Sequence, residues 1–150
     1  INVQGDEPII NPLDIKKIVE ASRKYPGEII NGMASIENKK EFFNPSIPKV
    51  VTKRDGKLLY MSRGAIPTTK KLGFKKGLKQ ICIYAFPVNL LKKFANEESK
   101  TPLEELEDIE ILRFLEMGFD IRMIKLSGNS FAVDTPDDLK KVRKYLRNGF

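Results

Sequence analysis

The stretch Asn2-Val3-Gln4-Gly5-Asp6-Glu7-Pro8 is the segment that decides the fold of this chain. The end of an apolar-flanked strand runs directly into a glycine turn that carries one carboxamide and two carboxylates, just before a helix. Ligands of α/β sheets bind at the carboxyl ends of strands, so this turn is the first candidate binding site. A strand at residue 1, with no strand or glycine-rich loop before it, leads us to expect that the sequence opens within a domain.

The rest of the chain is predicted to alternate helices and strands. Residues 1–4 are predicted to end a buried strand, and Asn11-Pro12 to open a helix with Asn11 as its N-cap. Asp55-Gly56 between two β-rich runs predicts a hairpin over residues 50–61. Further predicted elements are strands at 29–36 (with Gly32 as a weak point), 80–86, 119–126 and 131–133, a helical turn at 39–43, and helices that begin at Pro87, Thr101 and Thr135. This alternation predicts an α/β sheet with a small β insertion.

Two predicted helices carry specific expectations. The segment from Thr101 to Gly118 is predicted to be helical, with Gly118 ending it. The last helix is predicted to start with Thr135 as N-cap and Pro136 at the first helical position. Its buried face is predicted to consist of Val142, Tyr145 and Leu146.

The composition narrows the chemistry that is available. The 150 residues contain no histidine, which removes histidine-based triads, metal sites and general bases. The single cysteine, Cys82, lies in an apolar run and is interpreted as a buried, reduced thiol. Any metal must be held by oxygen ligands, which favours Mg²⁺. No apolar run is long enough to span a bilayer and no leader segment is evident, so we expect a cytoplasmic protein without a membrane partner.

The positive charge has two interpretations. The net charge is +7, and residues 70–79 hold the densest group of lysines. A basic domain attracts either nucleic acid or small anions. Aromatic residues do not interleave with these lysines and no nucleic-acid-reading motif is present, so we interpret most of them as solvated. Nucleic-acid binding is therefore the minority interpretation.

Two aspartates follow separate predicted strands, and each precedes a helix: Asp6 after the first strand, and Asp134 after the brief one. Carboxylates delivered from two strand ends can share one hard cation, which usually also binds phosphate oxygens. Taken alone, Asp134 is better explained as part of a helix cap. Asp6 is less easily explained in this way, because Gln4 and Glu7 crowd the same turn.

Several motifs follow one another along the chain: Asn2-Val3-Gln4-Gly5-Asp6-Glu7-Pro8, Lys49-Val50-Val51, Asp55-Gly56, Leu59-Tyr60-Met61-Ser62-Arg63, Ile66-Pro67, Ile83-Tyr84-Ala85, Thr101-Pro102-Leu103-Glu104, Leu112-Arg113, Glu116-Met117-Gly118 and Val133-Asp134-Thr135-Pro136-Asp137-Asp138-Leu139. In this order they resemble the 3-deoxy-manno-octulosonate (Kdo) cytidylyltransferases, the CMP-Kdo synthetases. The resemblance covers essentially all 150 residues. It implies a three-layer, nucleotidyltransferase-like (Rossmann-like) α/β sheet with a β-hairpin insertion.

The resemblance also implies a reaction and a set of site residues. A cytidylyl group would pass from CTP to a 2-keto-3-deoxy sugar acid, with release of pyrophosphate, for lipopolysaccharide or surface polysaccharide synthesis. Asp6 and Asp134 match the Mg²⁺ ligands of the family. Arg63 matches an arginine suited to a sugar carboxylate. The remaining matches are polar positions around the sugar, held here by Gln4, Tyr84 and Glu110. Each has a purely structural alternative, which for Glu110 is either a solvated side chain or a helical ion pair with Arg113.

This chain departs from the family pattern at two positions near the expected sugar pocket. Gln80 replaces a usual histidine, and Ile111 replaces a usual glutamine. These changes alter which sugar hydroxyls can be hydrogen-bonded, because an unpaired buried polar group is costly. We therefore expect the sugar acid to be Kdo or a close analogue of it.

The resemblance further implies that residues 1–150 are the C-terminal portion of one cytidylyltransferase domain, without its N-terminal nucleotide-binding half. We accordingly expect the 150 residues alone to be inactive. A homodimer is implied, with residues 45–75 as the contact region. Three alternatives stay open: another acidic-sugar cytidylyltransferase of the neuraminate type, a non-catalytic basic α/β module that binds nucleic acid, and a paralogue that binds a sugar acid without turnover.

Overall fold

The structure is a computed structural model that describes residues 1–5, 8–128, 133 and 135–147. Six strands and six helices are assigned within these residues. In chain order they are β1 (Asn2–Val3), α1 (Pro12–Lys24), β2 (Ile29–Ser35), α2 (Lys39–Phe43), β3 (Lys49–Thr52), β4 (Leu58–Ser62), β5 (Leu78–Ala85), α3 (Val88–Asn96), α4 (Pro102–Glu107), α5 (Ile111–Glu116), β6 (Ile121–Lys125) and α6 (Pro136–Arg147).

The strands form one sheet in the order β4-β3-β5-β2-β6, and β1 pairs with β5 beside this row. Only the β2·β6 pair is parallel among the described strands; the other pairs are antiparallel. Alternate residues of each strand point to opposite faces, and both faces are covered. Helix α1 buries Ile18 and Ala21 on one face. On the other, Leu90, Leu112 and Phe114 of α3 and α5 pack against the sheet, so the predicted three-layer α/β fold is confirmed.

The predicted hairpin is present and belongs to the same sheet. Val50 pairs with Met61 and Val51 with Tyr60, and Gly56 supplies the positive φ of 86° that the turn requires. The turn bends back onto β6, because the Met123 N–H donates to the Gly56 carbonyl at 2.9 Å. The tip of the hairpin is therefore anchored to the far edge of its own sheet.

Helix caps follow the predicted chemistry. The Asn11 side chain accepts a hydrogen bond from the Leu13 N–H at 2.9 Å, and Pro12 is the first helical residue. At α6, the Thr135 hydroxyl accepts from the Asp138 N–H while the Asp138 carboxylate accepts from the Thr135 N–H. These reciprocal bonds satisfy donors that the first helical turn leaves unpaired.

The helix predicted from Thr101 to Gly118 is wrong as a single element. Asp108 adopts a left-handed conformation with φ 50° and ψ 52°, which ends α4 and lets α5 fold back against it. Helix propensity alone did not reveal this break, because tertiary packing of Ile109 and Ile111 decides it.

Three smaller expectations need correction. The first strand is not buried: Ile1 and Val3 are 60% and 40% exposed, since among the described elements only β5 makes an extended contact with β1. In α6, Val142 is buried, but Tyr145 and Leu146 are largely exposed. Cys82 lies in β5 but is only half-buried.

The brief strand predicted at 131–133 falls mostly outside the described residues. Among the helices that the structure describes, none combines the length and apolar character needed to cross a membrane.

Candidate functional site

Three of the predicted sugar-site residues lie on one face of the sheet. In the β1·β5 pair, Asn2 faces Tyr84 and Val3 faces Ile83, and the Gln4 N–H continues the ladder to the Cys82 carbonyl. Gln4 thus stands opposite Cys82, between the positions of Gln80 and Tyr84 on β5. Since residues two apart on a strand share a face, these side chains occupy the face that carries α3 and α5.

Gln80 and Tyr84 are joined directly. Gln80 Nε2 donates to the Tyr84 hydroxyl at 3.1 Å. The Tyr84 ring is buried, 6% exposed, and stacks on Phe86 with ring centroids 5.4 Å apart. Packing therefore fixes the tyrosine ring in place, and the hydroxyl is held at the end of a rigid strand.

Asn31, which the sequence did not single out, completes this cluster. The β2·β5 register jumps between Asn31, opposite Tyr84, and Gly32, opposite Ile81, so two residues of β5 have no partner on β2. The buried Asn31 side chain fills the gap, because its Nδ2 donates to the carbonyls of Ile81 and Ile83 at 3.1 Å each. Its Oδ1 accepts a 3.1 Å hydrogen bond from Gln80 Nε2. The Gly32 weak point was the only signal of this bulge in the sequence.

Arg63 lies in the same row of the sheet, two strands from Gln80. Ser62 pairs with Lys49, and Lys49 pairs with Lys79. Arg63 and Gln80 are the next residues along their strands, so their backbones lie two strand spacings apart, about 10 Å. The guanidinium donates to the backbone carbonyls of Glu107, Pro45 and Asp108. These contacts use three of its five N–H groups, and no other described residue accepts from the remaining two. The sugar-carboxylate role of Arg63 stays a prediction.

Glu107 organises the neighbourhood of Arg63 and was not predicted as a site residue. Its carboxylate accepts hydrogen bonds from the Ser62 hydroxyl at 2.6 Å, the Arg63 N–H at 2.9 Å and the Tyr60 hydroxyl at 3.3 Å. Burial alone would raise the pKa of Glu107, but these hydrogen bonds outweigh it and hold the pKa below its ordinary value. Glu107 is therefore kept as an anion that joins β4 to α4.

Lys49 is fully buried beside this cluster. Its ammonium donates to the backbone carbonyls of Asn44, Ile47 and Arg63. Desolvation by burial lowers the pKa of Lys49, although the nearby Glu107 carboxylate opposes that effect. The buried Lys49 ammonium is thus satisfied by three backbone carbonyls and not by a carboxylate. This indicates a structural role at the base of the β3–β4 hairpin.

Glu110 and Ile111 lie at the start of α5. Glu110 is exposed, which agrees with its solvated structural alternative, whereas the other alternative, an ion pair with Arg113, does not form among the described residues. Arg113 instead forms a two-pronged pair with the buried Glu104, through Nε and Nη2. Ile111 is 2% exposed and packs in the core, and its proximity to a sugar pocket stays a prediction.

The two predicted metal ligands, Asp6 and Asp134, lie outside the described residues. Within the described part of the chain, no group of three or more acidic, histidine or cysteine side chains is arranged to hold a metal ion. Asp6 and Asp134 offer carboxylate oxygens to a metal ion, and the chain has no histidine that could add a nitrogen ligand. Oxygen-only sites suit Mg²⁺.

Comparisons with known proteins point to one family. The sequence profile described as "Cytidylyltransferase" matches residues 1–123. A 3-deoxy-manno-octulosonate cytidylyltransferase of Thermodesulfovibrio yellowstonii is 38% identical over 97% of this chain and 59% of its own length. An 8-amino-3,8-dideoxy-manno-octulosonate cytidylyltransferase of Shewanella frigidimarina is 36% identical over 97% of this chain and 60% of its own.

A solved structure is similar over nearly the whole chain. It is a CMP:2-keto-3-deoxy-manno-octonic acid synthetase complexed with CTP, which superposes with a TM-score of 0.89 at 30% identity and covers 99% of this chain and 61% of that one. The chain spans about three fifths of the length of the curated relatives it matches.

Proposed function

The chain belongs to the cytidylyltransferase family, and on that premise we propose that the protein transfers a cytidylyl group from CTP to a 2-keto-3-deoxy sugar acid. The acceptor is Kdo or a close analogue such as its 8-amino derivative, because relatives of both names match the chain equally widely. The observation that carries the proposal is the shared sheet face of Gln4, Gln80 and Tyr84, with Arg63 in the same row. It offers amide, phenol and guanidinium groups to one polyhydroxylated, anionic ligand.

The proposed reaction needs positioning more than covalent catalysis. The anomeric hydroxyl of the sugar attacks the α-phosphorus of CTP, the bond to the β-phosphate oxygen breaks, and pyrophosphate leaves. The hydroxyl proton is lost to solvent. The two remaining N–H groups of Arg63 would bind the sugar carboxylate, and the amides of Gln4 and Gln80 would orient its hydroxyls. Because β1 and β5 are paired strands, the two amides are held at a fixed spacing.

Asp6 and Asp134 would hold Mg²⁺ through their carboxylate oxygens. When bound, this ion would neutralise charge that develops on the phosphate oxygens. The oxygen-only donor set of these two residues supports the assignment.

A homodimer is part of the proposal. Leu59 on the edge strand β4 and Leu72 in the following loop are 50% and 74% exposed, and both lie within residues 45–75. Exposed apolar side chains on an edge strand favour association between copies. Light scattering of the protein and of a Leu59→Lys variant tests this, and a dimer that the variant leaves intact would remove β4 from the interface.

The activity is tested on the full-length protein, because residues 1–150 alone are expected to be inactive. Pyrophosphate release from CTP and Kdo is measured with Mg²⁺ present and after chelation. The matched variants are Asp6→Asn and Asp137→Asn. Asp137 is an exposed carboxylate that pairs with Lys140 at 2.8 Å on α6, so its variant controls for a loss of surface charge. We expect release that needs the sugar acid and Mg²⁺, is lost in Asp6→Asn and persists in Asp137→Asn.

Release that continues unchanged in Asp6→Asn would contradict the metal assignment while leaving the reaction intact. No release with Kdo or its 8-amino analogue would contradict the reaction itself. Salt-sensitive retention of RNA or DNA by such an inactive protein would then favour the nucleic-acid-binding alternative.

A further inference from the structure

The orientation of the Asn31 amide is fixed by its partners. Backbone carbonyl oxygens accept hydrogen bonds and cannot donate them, so the Asn31 atom that faces the carbonyls of Ile81 and Ile83 must be the Nδ2 nitrogen. Rotating the amide by half a turn would bring an oxygen against two oxygens inside a fully buried site. Asn31 Oδ1 must therefore point toward Gln80 as an acceptor.

The orientation of the Asn31 amide also fixes the orientation of the Gln80 amide. The Gln80 atom that meets Asn31 Oδ1 must be a donor, so it is Nε2. The two hydrogens of Nε2 are directed to Asn31 Oδ1 and to the Tyr84 hydroxyl. Within the described residues, the Gln80 carbonyl oxygen Oε1 has no hydrogen-bond partner. Gln80 is half-buried, so Oε1 is available to a ligand as an acceptor with a single fixed polarity.

We propose that Asn31 is a positioning residue that fixes Gln80 as a hydrogen-bond acceptor, so that the site selects sugar acids with a hydroxyl or ammonium donor at that point. This inference rests on the proposed function and names a specificity determinant of the same site. The bulge of β5 makes this possible, because at the bulge the carbonyls of Ile81 and Ile83 both accept from the Asn31 amide and fix its orientation. A substrate that lacks the donor would leave Oε1 desolvated and unpaired, which is the arrangement that gives strong discrimination.

The test compares Kdo with its mono-deoxy analogues, each of which lacks one hydroxyl. Steady-state kinetics of the full-length protein are measured for the wild type, Gln80→Leu, Gln80→His and Asn31→Leu, with Asn89→Leu on the exposed side of α3 as the control. In the wild type, one analogue should lose about 10- to 100-fold in kcat/KM. In Gln80→Leu, discrimination against that same analogue should disappear, while the KM for CTP stays within about 2-fold.

The other variants separate positioning from folding. An imidazole can donate to Asn31 Oδ1 with one nitrogen and accept with the other, so Gln80→His should retain the discrimination. Asn31→Leu should lose the discrimination against the one deoxy analogue that Gln80 rejects, and against no other. A merely structural role for Asn31 would lower kcat/KM for every analogue alike, and thermal unfolding identifies a variant that fails to fold. Gln80→Leu and Gln80→His decide the question in that case.

Two negative results have different meanings. Wild-type turnover of Kdo with no single discriminating hydroxyl, or with discrimination that Gln80→Leu leaves unchanged, overturns the acceptor role of Gln80 and with it the role of Asn31. An absence of wild-type turnover with Kdo, its 8-amino analogue and the deoxy series overturns the proposed function and this inference together.

Discussion

Arg63 and Glu107 contact each other twice: the Arg63 main-chain N–H donates to Glu107 Oε2 at 2.9 Å, and Arg63 Nε donates to the Glu107 backbone carbonyl. The Glu107 carboxylate also accepts from Ser62 of β4. The end of β4 is thereby joined to the end of α4 over 44 residues of sequence. An arginine predicted to bind a sugar carboxylate is thus also a structural clamp, and the two roles have different experimental consequences.

Replacing Arg63 by lysine should separate these roles. A lysine keeps the charge, but it lacks the planar guanidinium whose N–H groups reach the carbonyls of Pro45, Glu107 and Asp108 together. We expect Arg63→Lys to lower the free energy of unfolding by about 1–3 kcal/mol, measured by urea denaturation. Arg54→Lys, on the exposed hairpin turn, is the matched control and should change little. An unchanged unfolding midpoint with weaker sugar-acid binding would show that Arg63 serves the ligand alone.

Glu107→Gln should make the free energy of unfolding depend less on pH in the acidic range. The folded-state pKa of Glu107 lies below its ordinary value of 4.5, so its contribution is fully present above that pH and is lost as the pH falls through the folded-state pKa. At neutral pH the variant should be less stable by about 1–2 kcal/mol, because the amide accepts at one oxygen only. The difference from wild type should shrink below pH 4.5 in urea titrations at several pH values. The exposed Glu105→Gln should show no such convergence, and a constant gap for Glu107→Gln would contradict the linkage.

Breaking the Glu104–Arg113 pair from one side should be strongly destabilising. Glu104 is 1% exposed, and Arg113 lies 3.9 Å above the Phe94 ring, so the ions are held in a largely dry site. We expect Glu104→Ala to cost about 3–5 kcal/mol because it leaves an uncompensated guanidinium. Glu105→Ala on the exposed side of α4 is the control.

The same pair allows a double-mutant test. Glu104→Ala combined with Arg113→Ala should cost less than the sum of the two single changes, since no isolated charge is left behind. Strictly additive losses in the free energy of unfolding would mean that the two side chains are not energetically coupled.

Gly32→Ala should disturb the bulge on which Asn31 depends. A Cβ at position 32 would lie 2.5 Å from Leu126 Cδ1 and 3.0 Å from the Ile81 carbonyl oxygen, so the leucine side chain must shift and the tight approach to the Ile81 backbone must relax. We expect a loss of about 1–3 kcal/mol in thermal or urea unfolding. At Gly5, where no described residue lies within 4 Å of the added carbon, the same substitution should be close to neutral. Equal stability of the two variants would show that β2 and β5 can separate at the bulge without cost.

The elements whose signals are local could be predicted well. Asn11-Pro12, Asp55-Gly56 and Thr135-Pro136 each encode a cap or turn through their own side chains and φ preferences, and each forms as predicted. The family motifs were equally readable, because they are contiguous residues in a fixed order.

What the sequence alone determined is therefore the family and the type and order of most elements, since these depend on contiguous motifs and short-range backbone preferences. Tertiary structure decided the pairing of charges and amides. Arg113 pairs with Glu104 rather than with the nearer Glu110, because the left-handed Asp108 folds α5 back onto α4. Asn31 meets Gln80, 49 residues away, because a bulge in β5 leaves two carbonyls for its amide. Neither contact has a sequence signal, since each depends on strands or helices that only packing brings together.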